Sequence, residues 1–301
     1  MSIIVVGSVG LDSVKTPFGA VKKVLGGSAS YFSYAASLFS QVNLIATVGS
    51  DFPKKYIKLF NQRNIKLEGL SQVAGNTFSW SGRYGWDMAD PETLSTKLGV
   101  FADFCPKLPP QYKKSKHIFL ANIDPELQMN ILKQIKNRSS KVIGCDTMDF
   151  WIENKRKKLL KLLKDIDIFF INESEARQLT QEPNILKAAR AILKFGPKKI
   201  FIKRGEHGVL LVSGKHLFNA PAYLMESVVD PTGAGDTFAG GVMGYLAMTN
   251  NKSINTLRRA AIYGTIMATF AVEDFSLKSL QKATLAKVEK RIKKFKKLVS
   301  F

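Results

Sequence analysis

The stretch VVDPTGAGDTFAGGVMGYL, residues 228–246, sets Thr232, Gly233, Ala234 and Gly235 in a row and follows them with a carboxylate, Asp236. The preceding LMESVV (224–229) reads as a strand, and DTFAGGVMGYLAM (236–248) reads as a helix. The glycine-rich turn therefore falls where a helix N-terminus presents free N–H groups and the positive end of its dipole. Gly233 and Gly235 permit positive φ and let an anion approach bare backbone. An acid in the mouth of such a site has two readings. It caps the helix, a common role for aspartate. Alternatively, it is the base that accepts a hydroxyl proton while the turn holds an incoming phosphoryl group. Spacing removes two other nucleotide motifs. No G-x-x-x-x-G-K-[ST] occurs, and Gly233, Gly235 and Gly240 are too widely spaced, and too far from the first strand, for the dinucleotide fingerprint.

Outward from this stretch, short apolar runs alternate with helical patterns. IIVVG (3–7), VNLIATVG (42–49), HIFLA (117–121), KVIGCD (141–146), DIFFIN (167–172) and KKIFIKRG (198–205) read as buried strands. Helical spacing covers 29–40, 52–63, 126–137, 153–164, 174–194, 235–248 and 254–270. This alternation predicts one α/β domain over 1–301, with a mostly parallel central sheet and helices on both faces. Two segments break it. LDSVKTPFGAVKKVLGG (11–27) reads as a hairpin turning at Pro17–Phe18–Gly19, and 76–104 as two strands joined by an Asp-Pro turn. Within the latter, Phe78, Trp80, Tyr84 and Trp86 alternate with Ser79, Ser81 and Arg83, giving one aromatic and one polar face. Both leave from C-terminal strand ends, where open α/β sheets bind ligands, so they predict a small β-sheet lid.

Composition limits the partners. The net charge of +21 invites a nucleic-acid reading, but the lysines are scattered along the chain. The densest runs, 154–165 and 287–301, carry apolar residues at helical spacing, so the basic residues read as solvated helix faces. No nucleic-acid partner and no membrane span is expected, while a basic surface draws in anionic ligands. Cys105 and Cys145 lack metal-ligand spacing and read as reduced thiols. Met1 leads into SIIVVGSVG without a basic n-region, so the cytoplasm is the expected location.

The motif DPTGAGDTFAGG (230–241) resembles the C-terminal signature of the ribokinase-like PfkB family of carbohydrate kinases. LGGSASYFSYAA (25–36) resembles its N-terminal di-glycine signature, NESE (172–175) its N-x-x-E element, and IKRGEHGVLL (202–211) the G-x-x-G that follows. The resemblance spans essentially the whole chain. It implies an ATP-dependent phosphotransferase acting on a primary alcohol of a sugar or nucleoside. Asp236 would be the catalytic base and the backbone of Gly233, Ala234 and Gly235 the anion hole. Asp12 would bind substrate hydroxyls, with Gly26 and Gly27 forming a hinge against which substrate lies. Asn172 and Glu175 would position Mg²⁺ mainly through water, and Lys203, Gly205, Gly208 and Thr232 would contact the nucleotide. Asp230, with Thr232, would hold a monovalent cation such as K⁺.

Tyr31 departs from the pattern, since many members place an asparagine there to touch the sugar. Ser28 and Ser30 then supply the polar contact, or Tyr31 narrows the pocket. The lid leaves the acceptor open. Its aromatic face over the substrate favours a nucleoside. Its polar face instead lets Arg83 clamp a sugar phosphate or sugar acid. A third reading packs the aromatics against the lid of a second copy, as a homodimer. A non-catalytic nucleotide-binding regulator on the same fold is the remaining alternative.

Overall fold

The computed structural model describes residues 1–300. In chain order the strands are β1 (Ser2–Val6), β2 (Gly10–Thr16), β3 (Gly19–Gly26), β4 (Gln41–Gly49), β5 (Ile65–Val73), β6 (Ser79–Arg83), β7 (Glu92–Lys97), β8 (His117–Leu120), β9 (Val142–Asp146), β10 (Ile168–Asn172), β11 (Lys199–Lys203), β12 (Val209–Ser213) and β13 (His216–Ala220). The helices are α1 (Ser28–Ala36), α2 (Lys54–Asn61), α3 (Pro125–Gln134), α4 (Asp149–Asn154), α5 (Arg156–Leu163), α6 (Glu173–Thr180), α7 (Ile185–Lys194), α8 (Ala234–Thr249), α9 (Ile254–Val272) and α10 (Leu285–Val299). Nine strands form the main sheet in the order β13-β12-β11-β10-β9-β8-β1-β4-β5. It is parallel except at β11–β12 and β12–β13.

A parallel strand covered on both faces must be apolar at every position, and β1 meets that demand. Ile3 and Val5 join the core formed with α1, α8 and α9, whereas Ile4 and Val6 join the opposite core formed with α3, α5 and α6. The strands expected at 3–7, 42–49, 117–121, 141–146, 167–172 and 198–205 are all present within a residue or two.

Three local expectations differ, and one strand was not foreseen. Residues 224–229 form no strand: β13 ends the sheet, Leu224 is 75% exposed, and only Val229 N and Asp230 N are held, by Val272 O. β5 has no apolar run to announce it, because it is an edge strand buried fully only at Ile65. The helix read over 153–164 divides at Lys155 into α4 and α5. The helix read over 174–194 divides where Gln181 turns left-handed before Pro183, and Asn184 recaps α7. In 287–301, α10 runs to Val299, and Phe301 lies outside the described residues.

The second sheet, ordered β3-β2-β6-β7, is the lid. Its hairpin turns at Pro17–Phe18, and β2 runs parallel to β6, with Leu11 N donating to Phe78 O at 2.9 Å. Below it α8 and α9 pack closely because glycines meet side chains there. A Cβ on Gly264 would lie 2.7 Å from Val242 Cγ2 and 2.8 Å from Phe238 O. Gly264→Val is therefore expected to cost about 1–3 kcal/mol through overpacking, visible in thermal unfolding as a fall of roughly 2–10 °C. An unchanged or raised Tm would contradict this packing.

Candidate active site

The loop from Asp230 to Gly235 feeds α8, and Gly233 is the helix N-cap in the left-handed region, φ 74° and ψ 5°. A side chain there is excluded twice over, because a Cβ on Gly233 would also overlap the Tyr31 ring. Ala234 N donates to Pro231 O at 3.1 Å, so the amide expected to join the anion hole is already engaged. Among the described residues, the amides of Gly233, Gly235 and Asp236 donate to no other group, and they form the open end of the helix. Asp236 stands in the first turn, half-buried. Burial, with Asp146 adding repulsion and Lys203 opposing it, lifts its pKa to about 7.

On one side of this turn lie the lid strand β2 and the start of α1. Asp12 is buried, and its Oδ2 accepts Gly27 N at 3.3 Å while Oδ1 has no partner among the described residues. Gly26 must be glycine, since a Cβ there would overlap the Asp12 carboxylate. Burial raises Asp12 to about 7, against the Gly27 bond and with help from Asp230. Ser28 N donates to Ser8 Oγ at 3.0 Å, and Ser30 Oγ donates to Gly26 O at 2.7 Å. Tyr31 is buried, and its hydroxyl is pushed upward first by that burial and then by Asp12 and Asp230. It lies against the glycine loop.

The lid turns its aromatic face inward. Asp12 aligns with Trp80 in the β2–β6 register, and Tyr84 packs with Val14 and Phe275. Thr232 Oγ1 donates to Tyr84 Oη at 3.1 Å, tying the lid to the glycine loop. The regular alternation ends there. Phe78 precedes the strand and packs on Phe101, and Trp86 lies beyond it, 87% exposed. Arg83 is not brought to the site. It aligns with exposed Lys15 on the outer face, where Nε and Nη2 donate to Glu92 Oε2 at 3.1 and 2.6 Å.

On the other side, the C-terminal ends of β9, β10 and β11 supply a charged floor. Lys203 Nζ lies 2.8 and 3.1 Å from the Asp146 carboxylate oxygens, reaching across β10. A Cβ on Gly235 would lie 3.1 Å from the same Nζ. Burial works against the Lys203 charge, yet Asp146 and Glu175 hold its pKa above the usual lysine value. Asn172 and Glu175 form a capping box on α6, with Glu175 N donating to Asn172 Oδ1 at 2.7 Å and Asn172 N to Glu175 Oε2 at 2.8 Å. Burial raises Glu175 to about 8, against the attraction of Lys203. Gly205 and Gly208, both at positive φ, turn the chain from β11 into β12.

Asp230 is buried. Its Oδ1 accepts Thr232 N at 2.9 Å, its Oδ2 lacks a partner among the described residues, and burial raises its pKa. The sequence reading missed Asp146. Its signal was its position as the last residue of a buried strand, at the sheet edge where ligands bind. The reading also missed the tie between Tyr84 and Thr232, which no local pattern encodes.

The assembled crevice can bind an anion on open amides and offer a carboxylate to a hydroxyl, with acids and one ammionium-bearing side chain arranged along its floor. The pfkB family carbohydrate kinase model matches residues 3–283. The chain is 29% identical over 245 residues to the cytidine kinase of Thermococcus kodakarensis, covering 81% of this chain and 87% of the relative. Its fold is similar to the Methanocaldococcus jannaschii nucleoside kinase, with TM-score 0.77, 19% identity and coverage of 97% and 98%. An E. coli protein described as a ribokinase II, solved with ATP and Mg²⁺, gives TM-score 0.79, 20% identity and coverage of 97% and 99%. With that match spanning the anion turn, the crevice floor and the lid alike, the chain belongs to the pfkB family of carbohydrate kinases.

Proposed function

We propose that this kinase transfers the γ-phosphoryl group of ATP to the primary hydroxyl of a nucleoside. The observation that carries the acceptor class is the lid. Trp80 and Tyr84 face the crevice beside Asp12, whereas Arg83 is bound to Glu92 on the outer face. An aromatic cover suits a ring-bearing acceptor, and a carboxylate below it suits sugar hydroxyls. The likeness to a cytidine kinase supports the same class.

In this mechanism Asp12 orients the sugar, and the Asp236 carboxylate takes the proton of the primary hydroxyl. The oxygen attacks the γ-phosphorus as the bond to the ADP oxygen breaks, and ADP leaves. The amides of Gly233, Gly235 and Asp236 hold the transferred group, and the Lys203 ammonium adds positive charge beside it. Gly205 and Gly208 shape the turn that receives the nucleotide phosphates. The donor set fits Mg²⁺ held largely by water and phosphate. Among the described residues no group of three His, Cys, Asp or Glu side chains could cage a metal, and Glu175 would become ionised beside a cation. Bound there, Mg²⁺ would neutralise phosphate charge. The unpartnered Asp230 Oδ2 fits a monovalent cation such as K⁺. Phe18 and Leu94, exposed on the lid, offer apolar surface for a homodimer.

The deciding assay is ATP consumption with Mg²⁺ and K⁺ across nucleosides, free sugars, sugar phosphates and sugar acids. Nucleoside turnover is expected. Preference for phosphorylated or acidic sugars would overturn the acceptor class. Silence with every acceptor despite ATP binding would overturn the enzyme.

Two consequences attach to Asp236. Asp236→Asn is expected to lower kcat by about 10²–10⁴-fold while Mg·ATP still binds by calorimetry, because the phosphate contacts are backbone. Wild-type kcat/KM should fall about tenfold per pH unit below the Asp236 pKa of about 7. The stability effect runs the other way. A carboxyl raised on folding favours the native state below its unfolded pKa, and that advantage is lost as pH rises through about 7. Asp236→Asn should therefore melt above the wild type at about pH 8, with the gap closing toward about pH 4. A variant less stable than the wild type at the higher pH would contradict the desolvated carboxylate.

A further inference from the structure

Asn122 lies one residue beyond the last ladder contact of β8 with β1, where Ala121 N donates to Val6 O at 2.9 Å. It thus leaves the sheet beside Gly7 and Ser8, and a Cβ on Gly7 would lie 2.7 Å from Ala121 Cβ. Its carbonyl accepts Ser28 Oγ at 3.3 Å, and Ser28 opens α1 immediately after Gly26 and Gly27. Asn122 is therefore one contact away from the loop that faces Asp12. It stands on the acceptor side of the crevice, with β9, β10 and β11 and their charged ends beyond it.

Its side chain is oriented by an aromatic neighbour. Trp151 Nε1, on α4, donates to Asn122 Oδ1 at 2.9 Å. An indole nitrogen can only donate, so the amide oxygen must face it, and the amide cannot be turned over without losing the bond. Asn122 Nδ2 then presents two N–H groups, and among the described residues neither meets an acceptor. Both residues are half-buried. Phe150 packs edge-to-face on Trp151, with ring centroids 4.9 Å apart, and is 50% exposed. An oriented donor pair backed by aromatic rings is a recognition element waiting for an acceptor atom.

We propose that Asn122 selects the base of the nucleoside, donating from Nδ2 to a carbonyl oxygen or unprotonated ring nitrogen, and that Trp151 is the positioning residue that holds the amide in that orientation. This rests on the nucleoside reading. Asn122→Asp keeps the shape and replaces the two donors with lone pairs, which then face the lone pairs of the base. Trp151→Phe keeps the ring and removes the N–H that fixes the amide.

The test is steady-state kinetics with cytidine, uridine and inosine, alongside binding of free ribose, which has no base. For Asn122→Asp the nucleoside KM should rise about 10–100-fold. The change in kcat should stay within about threefold, and the KM for ATP should not move. Ribose binding should be unchanged, so the preference for nucleoside over ribose collapses. Trp151→Phe should give a smaller rise of the same sign, and it carries the test if Asn122→Asp does not fold. An equal loss for ribose and nucleoside would place Asn122 on the sugar, and an unchanged nucleoside KM in both variants would remove it from the site. Either result overturns the proposal while leaving the nucleoside reading intact. A wild type inactive on all three nucleosides overturns both.

Discussion

The bond between Lys203 and Asp146 is the constraint around which the crevice is organised. Placing ions at 2.8 Å in a nearly closed cleft is favourable only if each remains paired. Thr147 N adds a bond to Asp146 Oδ1 at 2.9 Å, and Gln128 Nε2 holds the Asp146 carbonyl at 3.1 Å. The pair spans β9 to β11, and Lys203 lies beside Gly235 in the first turn of α8. It also sets the charge balance for its neighbours. Asp146 repels charge on Asp236 and Glu175 while Lys203 attracts it, and burial dominates both, leaving their pKa values near 7 and 8. An acid held near neutrality can act as a base at the pH of a cell while repelling an arriving phosphate less than a fully ionised one. The chain as a whole carries a net charge of +21, which draws anions toward it.

Glycine does a second job in this site besides permitting a turn. Gly26 makes room for the Asp12 carboxylate, Gly233 for the Tyr31 ring, and Gly235 for the Lys203 ammonium. Each therefore marks a long-range contact, in which one element's missing side chain accommodates a functional group from another. Gly233 and Tyr31 are thus paired in space, although α1 and the glycine loop are far apart in the chain. The buried ring packs against the loop at Gly233.

This distinction also explains what could be read from the chain. Buried parallel strands announce themselves because every position is apolar, so β1, β4 and β8–β11 fell where the runs placed them. The turn at Gly233 was legible as a helix N-terminus for the same local reason. β5, exposed along one edge, carries no such signal. Leu224–Val229 carries a false one, since its apolar residues have no strand to pair with. The Glu182-Pro183-Asn184 interruption was local and legible in principle, as a proline followed by a cap. By contrast, Asp146, the Tyr84–Thr232 bond and the capture of Arg83 by Glu92 depend on which strands lie side by side. Alternation placed Arg83 on the polar face correctly but could not say that this face looks away from the crevice.

The lid and the glycine loop meet through a side-chain hydrogen bond. Tyr84 follows β6 directly and meets Thr232 at 3.1 Å, and Thr232 in turn is fastened through its amide to Asp230, whose own amide bonds Val272 O at the end of α9. Moving Tyr84 away would cost Thr232 its side-chain bond while leaving its amide held by Asp230. A kinase must keep water from replacing the acceptor hydroxyl. The bond to Thr232 places the aromatic side of the lid next to the glycine loop. A single hydrogen bond of this kind contributes a modest amount, about 1 kcal/mol, so the tie can form and break readily.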